Sequence, residues 1–291
     1  MSAPFNPLMN PLMNPLRNPL KTALTSPSIS STASAFARAN LIGEHTDYNG
    51  GFVLPTLLPF QTTVMLEESR GSALGVLIHS EALGLTTERA IDAVPANDWT
   101  DYVMACFFVL KKRGIAAPPA RVNIRSNIPM GAGISSSAAL LVAVLRGLRS
   151  LIGFTADERE IALMANEAER DYVGVPCGII DQFACALGAP GFALMLDTKH
   201  QTYSQVELPP DHEVILVNSG KKHELTAALG YRQRVAECQQ ACQELQITSL
   251  RDLGTGDLDR ISRLSSPLLV RRVRHVVTEN QRVLDAAAAL K

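Results

Sequence analysis

Apolar and polar positions change rhythm several times along this chain, and each change marks an element. A polar, glycine-punctuated stretch from Gly43 to Gly51 runs into the apolar segment FVLPTLLPF, and compact structure is expected from about Phe36 onward. Between residues 97 and 113, Trp99, Tyr102, Val103, Cys106, Phe107 and Leu110 recur at helical spacing, with Gly114 as the stop. ARVNIRSNIP alternates Val122 and Ile124 with polar residues, which predicts a half-buried strand closed by Pro129. A glycine-serine loop then leads into a small-residue helix from about Ser137. Thr155 and Glu158 have capping-box spacing ahead of Ile161, Leu163, Met164 and Ala168, so a helix is expected to reach Tyr172, before Gly174 and Pro176. A short helix should begin near Asp181 and stop at Gly188 to Pro190, after which FALML and EVILV read as buried strands. Beyond Lys222 the pattern is helical almost to the end, with a break at Ser266–Pro267. The fold class is α+β, with a domain boundary near residue 205.

Composition narrows the function classes. At 291 residues the chain is long enough for two domains or one large one. A formal net charge of −1 with 19% charged residues gives no sign of a nucleic-acid or acidic-membrane surface. Purely apolar runs such as Ala138 to Leu145 are too short to cross a bilayer. Cys106, Cys177, Cys185, Cys238 and Cys242 are scattered and lack CxxC spacing, which argues against a disulfide framework or a zinc site and fits a reducing cytoplasm. Cys238 and Cys242 read as ordinary packing. Repeated Asn-Pro-Leu units and a Ser/Thr-rich stretch make residues 1–30 a disordered leader, since prolines every four residues forbid the amphipathic helix of a transit peptide.

Three constellations carry chemistry. In the first, Arg38, Glu44, His45 and Asp47 crowd one loop, a density of donors and acceptors that suits a polyhydroxylated ligand, although any short EHTD string alone is more often a solvated turn. In the second, Gly131-Ala132-Gly133-Ile134-Ser135-Ser136-Ser137 opens a helix. Glycines there let backbone N–H groups surround phosphate oxygens, and the helix aims its positive end at them; the lysine of a Walker A loop is absent, and a tight strand-to-helix turn is the plainer alternative. The third runs from Glu169 to Gly178, Asp181 and Gln182. Two carboxylates at facing helix ends could divide metal binding and proton transfer, though alone Glu169 reads as a surface residue and Asp181 as an N-cap.

NLIGEHTDYN closely resembles the signature of galactokinases, the glycine-serine loop resembles the phosphate-binding motif of GHMP kinases, and CGIIDQ resembles the galactokinase CGIMDQ segment, with Ile180 where methionine is common. The resemblance spans about residues 35 to 285 and implies a two-domain GHMP kinase fold. Residues 31–205 would form a complete N-terminal domain and residues 206–291 part of a C-terminal one, since the family carries a third glycine-rich motif further on. It implies ATP and Mg²⁺, with Asp181 as catalytic base, Arg38 offsetting developing charge, and Ser137 and Glu169 on the metal. Gly131 to Ser137 would hold the phosphates. Glu44, His45, Asp47, Gly178, Asp181 and Tyr231 would contact galactose, whose C1 hydroxyl is phosphorylated. Tyr231 stands in LGYRQRVAEC where the family reads EYNxRRxEC, and a core aromatic is an equal alternative; Ala35-Phe36-Ala37-Arg38-Ala39-Asn40 replaces the usual APGRxN.

Rival readings are a GHMP kinase for N-acetylgalactosamine, arabinose or galacturonate, and a catalytically dead sugar- and ATP-binding relative. A monomer with no nucleic-acid or membrane partner is expected. The short C-terminal region also predicts that Leu268, Leu269, Val273, Val276, Val277, Val283 and Leu284 are left with few partners.

Overall fold

The computed structural model describes residues 29–69, 75–217 and 225–291. Its sheet contains β1 (Ser30–Asn40), β2 (Phe52–Val53), β3 (Pro55–Glu68), β4 (Gly75–Ser80), β5 (Leu85–Ala90), β6 (Ala120–Ser126), β7 (Phe192–Asp197) and β8 (Thr202–Glu207). The strand order is β2-β7-β3-β6-β4-β5, with β1 also against β3 and β8 against β7. Pairing is antiparallel except between β4 and β6. Alternation explains the two faces: Val64, Leu66, Val122 and Ile124 are buried under helices, while Met65, Arg121 and Arg125 face solvent.

Four helices make that cover: α1 (Asp101–Lys112), α2 (Ser136–Ile152), α3 (Glu158–Ala168) and α4 (Ile180–Leu187). α2 runs directly over β1 and β3, and Leu141, Leu145 and Leu148 are fully buried, each contributing about 1.5–3 kcal/mol of transfer free energy. Gly147 lets the helix come this close, since a Cβ there would overlap Leu66 Cδ1. Between β1 and β3 the register slips: Phe36 lies opposite Gln61 but Arg38 opposite Leu57. Pro59, with no N–H to give a ladder, lies in the skipped stretch.

Several expectations require correction. The capping box of α3 is Asp157 with Glu160, not Thr155 with Glu158; Glu158 instead pairs with Arg146 and Arg149. After Ala168 the helix widens into a π turn, Glu169–Val173. EVILV is not a buried strand: Glu213 to Val217 is irregular and exposed, with no strand beside it among the described residues. Conversely β1 begins at Ser30, inside the Ser/Thr-rich stretch; most of the leader, like Lys222, lies outside the described residues. The β4–β5 hairpin and β8 had no clear signal, because most of their outward positions are polar.

The C-terminal helices are α5 (Leu225–Leu245), α6 (Leu258–Ile261) and α7 (Pro267–Ala289), not one continuous run: 3₁₀ turns separate the first two and an irregular turn the last two. Ser266 caps α7 by accepting from the Leu268 N–H, with Pro267 at the first helical position, as the break required. The expected bare apolar face is absent. Leu269, Val273, Val276 and Val277 pack with Cys238, Ala241 and Leu245 of α5 and with Leu250 and Ile261. Val283 and Ala287 pack on Leu54, Ala193 and Val206 of the sheet edge, leaving Leu268 half-buried outside both clusters and Leu284 among the exposed residues. α7 thus finds partners on two sides.

Candidate active site

A cleft of about 850 Å³ opens between the α2 N-terminus, the loop after β1, and the start of α5. Gly131, Gly133, Ile134, Ser135, Ser136, Ser137, Arg38, Glu44, His45, Asp47, Glu169, Gly178, Asp181 and Tyr231 all line it; Ala132 and Gln182, also singled out from sequence, do not. Segments more than a hundred residues apart are brought together here.

The loop wall owes its shape to backbone conformation. Gly131 and Gly133 both have φ of 71°, and Ser135, which precedes α2, sits at φ 61°, a left-handed conformation uncommon outside glycine. The first-turn N–H groups of the 17-residue α2 therefore open toward the cleft, with no acidic side chain in that turn to compete for them. The Ser135 hydroxyl is buried without a protein partner.

Arg38 ties this wall to the chemistry. Its Nη1 donates to the Gly133 carbonyl at 3.2 Å, and its backbone N–H donates to the Ile134 carbonyl at 3.3 Å. Nε and Nη2 both reach Asp181 Oδ1, at 2.8 and 2.6 Å, which leaves Oδ2 outside the pair. Burial works against the guanidinium's charge, but Asp181 more than offsets it and holds Arg38 above its ordinary pKa. Asp181 is the second residue of α4, not its N-cap, which is Ile179.

Glu169 is buried, not a surface residue, and begins the π turn. Burial, with a smaller push from Asp181, lifts its pKa to about 7, against the opposing pull of the neighbouring Ser137 hydroxyl and the hydrogen bond from Gln182. Gln182 Nε2 donates to Glu169 Oε2 at 2.5 Å, and Asn166 Nδ2 donates to Gln182 Oε1 at 3.3 Å and to the Gly178 carbonyl at 2.8 Å. These supporting amides were missed; Gln182 stood in the quoted motif, whereas Asn166 gave no sequence signal.

Across the cleft, Asn40 Nδ2 donates to Glu44 Oε1 at 2.8 Å. Burial, with the nearby Asp181 and Glu44 charges, raises Asp47 to about 6 against a Tyr48 N–H hydrogen bond. Gly178 makes room for the Asp47 carboxylate, because a Cβ there would overlap Asp47 Oδ2 and push it aside. Its N–H donates to the Tyr231 hydroxyl at 3.1 Å, which places Tyr231 in the cleft wall and not only in the core. His45 packs among Tyr48, Tyr231 and His275, with ring centroids 5.8, 6.2 and 6.5 Å away. Burial and then Arg234 depress its pKa.

The galactokinase galactose-binding signature matches residues 25–67 and the GHMP kinases N terminal domain matches residues 101–189. A curated galactokinase from Thermotoga maritima is 39% identical over 256 residues, covering 87% of this chain and 70% of the relative. The chain belongs to the galactokinase family. Another member, the Mycobacterium tuberculosis galactokinase, is 38% identical over 257 residues, with the same coverage of both chains. The crystal structure of Lactococcus lactis galactokinase complexed with galactose superposes with a TM-score of 0.83 at 31% identity, covering 90% of this chain and 70% of that one. A mevalonate kinase structure, at 16% identity and TM-score 0.54, shares the fold. Family membership makes this chain a GHMP-type sugar kinase, for which ATP is the phosphoryl donor. Among the described residues no helix is long and apolar enough to cross a membrane.

Proposed function

We propose that this chain catalyses ATP-dependent phosphorylation of galactose at its C1 hydroxyl, giving galactose 1-phosphate and ADP. The observation that carries the reading is the Arg38–Asp181 pair, which is tied to the glycine-serine wall through Gly133 and lines one cleft with Glu44, His45 and Asp47. Asp181 Oδ2, outside the ion pair, is the oxygen that accepts the hydroxyl proton, while Arg38 offsets negative charge at the transferring group. Glu44, His45 and Asp47 read the sugar hydroxyls, with Gly178 and Tyr231 completing that wall. The loop from Gly131 through Ala132 to Ser137, with the α2 N-terminus, binds phosphate oxygens. The sheet body to about residue 205 carries most of these groups, and residues 206–291 close the sugar side through Tyr231.

Mg²⁺ fits the residues present. Among the described residues no cluster of three His, Cys, Asp or Glu side chains could hold a metal by itself. Glu169, however, is a buried carboxylate with no ion-pair partner among them, and it lines the cleft together with the Ser137 hydroxyl. One carboxylate and one hydroxyl, with the remaining positions from phosphates and water, is an ordinary Mg²⁺ donor set. Bound there, the ion would supply charge neutralisation at the phosphates.

The test is an ADP-release assay on the full chain with galactose, N-acetylgalactosamine, arabinose and galacturonate. Galactose-dependent ADP release with the highest kcat/KM supports the reading; a higher kcat/KM for another of these sugars replaces it.

A further inference from the structure

Helix α7 belongs to none of the motifs above and does not line the cleft, yet it holds the sugar loop at three points. His275 Nε2 donates to the Glu44 carbonyl at 2.8 Å. One turn further on, Glu279 Oε1 accepts from the Gly43 N–H at 3.0 Å, and Asn280 Oδ1 accepts from the Phe52 N–H at 3.0 Å. These contacts bracket the segment that presents Glu44, His45 and Asp47. Gly51 has no side chain where Asn280 approaches, since a Cβ there would overlap Asn280 Oδ1.

Glu279 and Asn280 are 8% and 7% exposed, on a helix otherwise buried through leucine, valine and alanine. Burying a carboxylate and an amide carries a desolvation cost that apolar side chains would avoid. What the polar pair adds is direction: each oxygen takes one particular backbone N–H, and Arg282 Nη1 holds the other Glu279 oxygen at 2.6 Å. Apolar packing alone would let the loop shift by fractions of an ångström, enough to misplace groups that read hydroxyls.

We propose that His275, Glu279 and Asn280 are positioning residues for the sugar: they set the orientation of Glu44, His45 and Asp47 without touching the substrate. The proposal rests on the galactose reading above. The phosphate wall is built on α2 and takes no contact from these three side chains, so the effect is confined to the sugar.

The experiment is calorimetric titration of the full chain with galactose and, separately, with a non-hydrolysable ATP analogue. Wild type is compared with Glu279→Ala, Asn280→Ala, Glu279→Gln and Ile261→Ala, a core truncation on α6 that touches no part of the loop's hydrogen bonding. Each alanine variant should weaken galactose binding about tenfold, as expected for one lost buried hydrogen bond, with the ATP analogue within about twofold. Glu279→Gln, which keeps an acceptor for Gly43, should recover most of the affinity. Unchanged galactose affinity in the folded alanine variants overturns the proposal. So does an equal loss in Ile261→Ala at matched destabilisation, because the effect would then follow stability alone. Wild type that binds the ATP analogue but not galactose defeats the sugar assignment itself, and this proposal with it, before any variant is compared.

Discussion

Replacing Glu169 by Gln should stabilise the folded chain at alkaline pH while damaging its use of metal. Burial moves the Glu169 carboxyl from 4.5 to about 7. The folded protein therefore holds this proton to higher pH than the unfolded chain does. The sign follows directly: below about pH 4.5 both states are protonated and there is no penalty. As pH rises toward 7 the unfolded state ionises first and gains relative to the folded one, and above 7 the full penalty applies. A shift of about 2.5 units at about 1.4 kcal/mol each is roughly 3 kcal/mol, a large share of an ordinary domain's stability. Glutamine is nearly isosteric, accepts the Gln182 hydrogen bond and does not titrate. Urea unfolding of both chains without metal should show the variant more stable by roughly 2–4 kcal/mol at pH 8 and by less than about 1 kcal/mol at pH 5. Comparing the two chains at each pH cancels other titrating groups such as Asp47. At pH 8 the same variant should need more Mg²⁺ for half-maximal rate, with a smaller change in the galactose KM. An equal gain at both pH values, or destabilisation at pH 8, would show that Glu169 is not held as a strained buried acid.

Other consequences can be checked with standard kinetics. Asp181→Asn keeps an oxygen for Arg38 but is a poor proton acceptor; turnover should disappear while galactose binding stays within about tenfold, and near wild-type turnover would exclude Asp181 as the base. Gly178→Ala forces the Asp47 carboxylate aside, so galactose KM should rise at least about tenfold with little change for ATP; an unchanged KM would mean that Asp47 does not read the sugar. Galactose should be strongly preferred over its C4 epimer glucose, because a site built to hydrogen-bond one hydroxyl leaves polar groups unpaired with the other; comparable kcat/KM values would refute the galactose assignment.

Much of this site could be read from local pattern. Loop chemistry is short-range: Gly131, Gly133 and Ser135 adopt left-handed backbone within a few residues of each other, and the helix start that follows them is written in the same string. The helical spacing from Tyr102 to Leu110 and the alternation at Val122 and Ile124 likewise mark burial directly. EVILV was misread because an apolar run specifies a liking for burial but not a partner strand, and none stands beside it among the described residues. The Asp157–Glu160 cap was missed because Thr155 and Glu158 have the same spacing; what separates the pairs is that Arg146 and Arg149 of α2 draw Glu158 away.

What the sequence by itself determined is therefore the set of chemical groups, their local backbone shapes and the elements that carry them. Only the tertiary structure decided which oxygen of Asp181 stays free of Arg38, that Glu169 is buried and raised in pKa, and that Gly178 makes room for Asp47. It alone placed α7 against the sugar loop, turning an apolar face that looked unpartnered into a brace. The physical reason is range. Backbone conformation and periodicity act over a turn or two of chain, whereas desolvation, charge pairing and steric fit depend on residues that only the completed fold brings within a few ångströms.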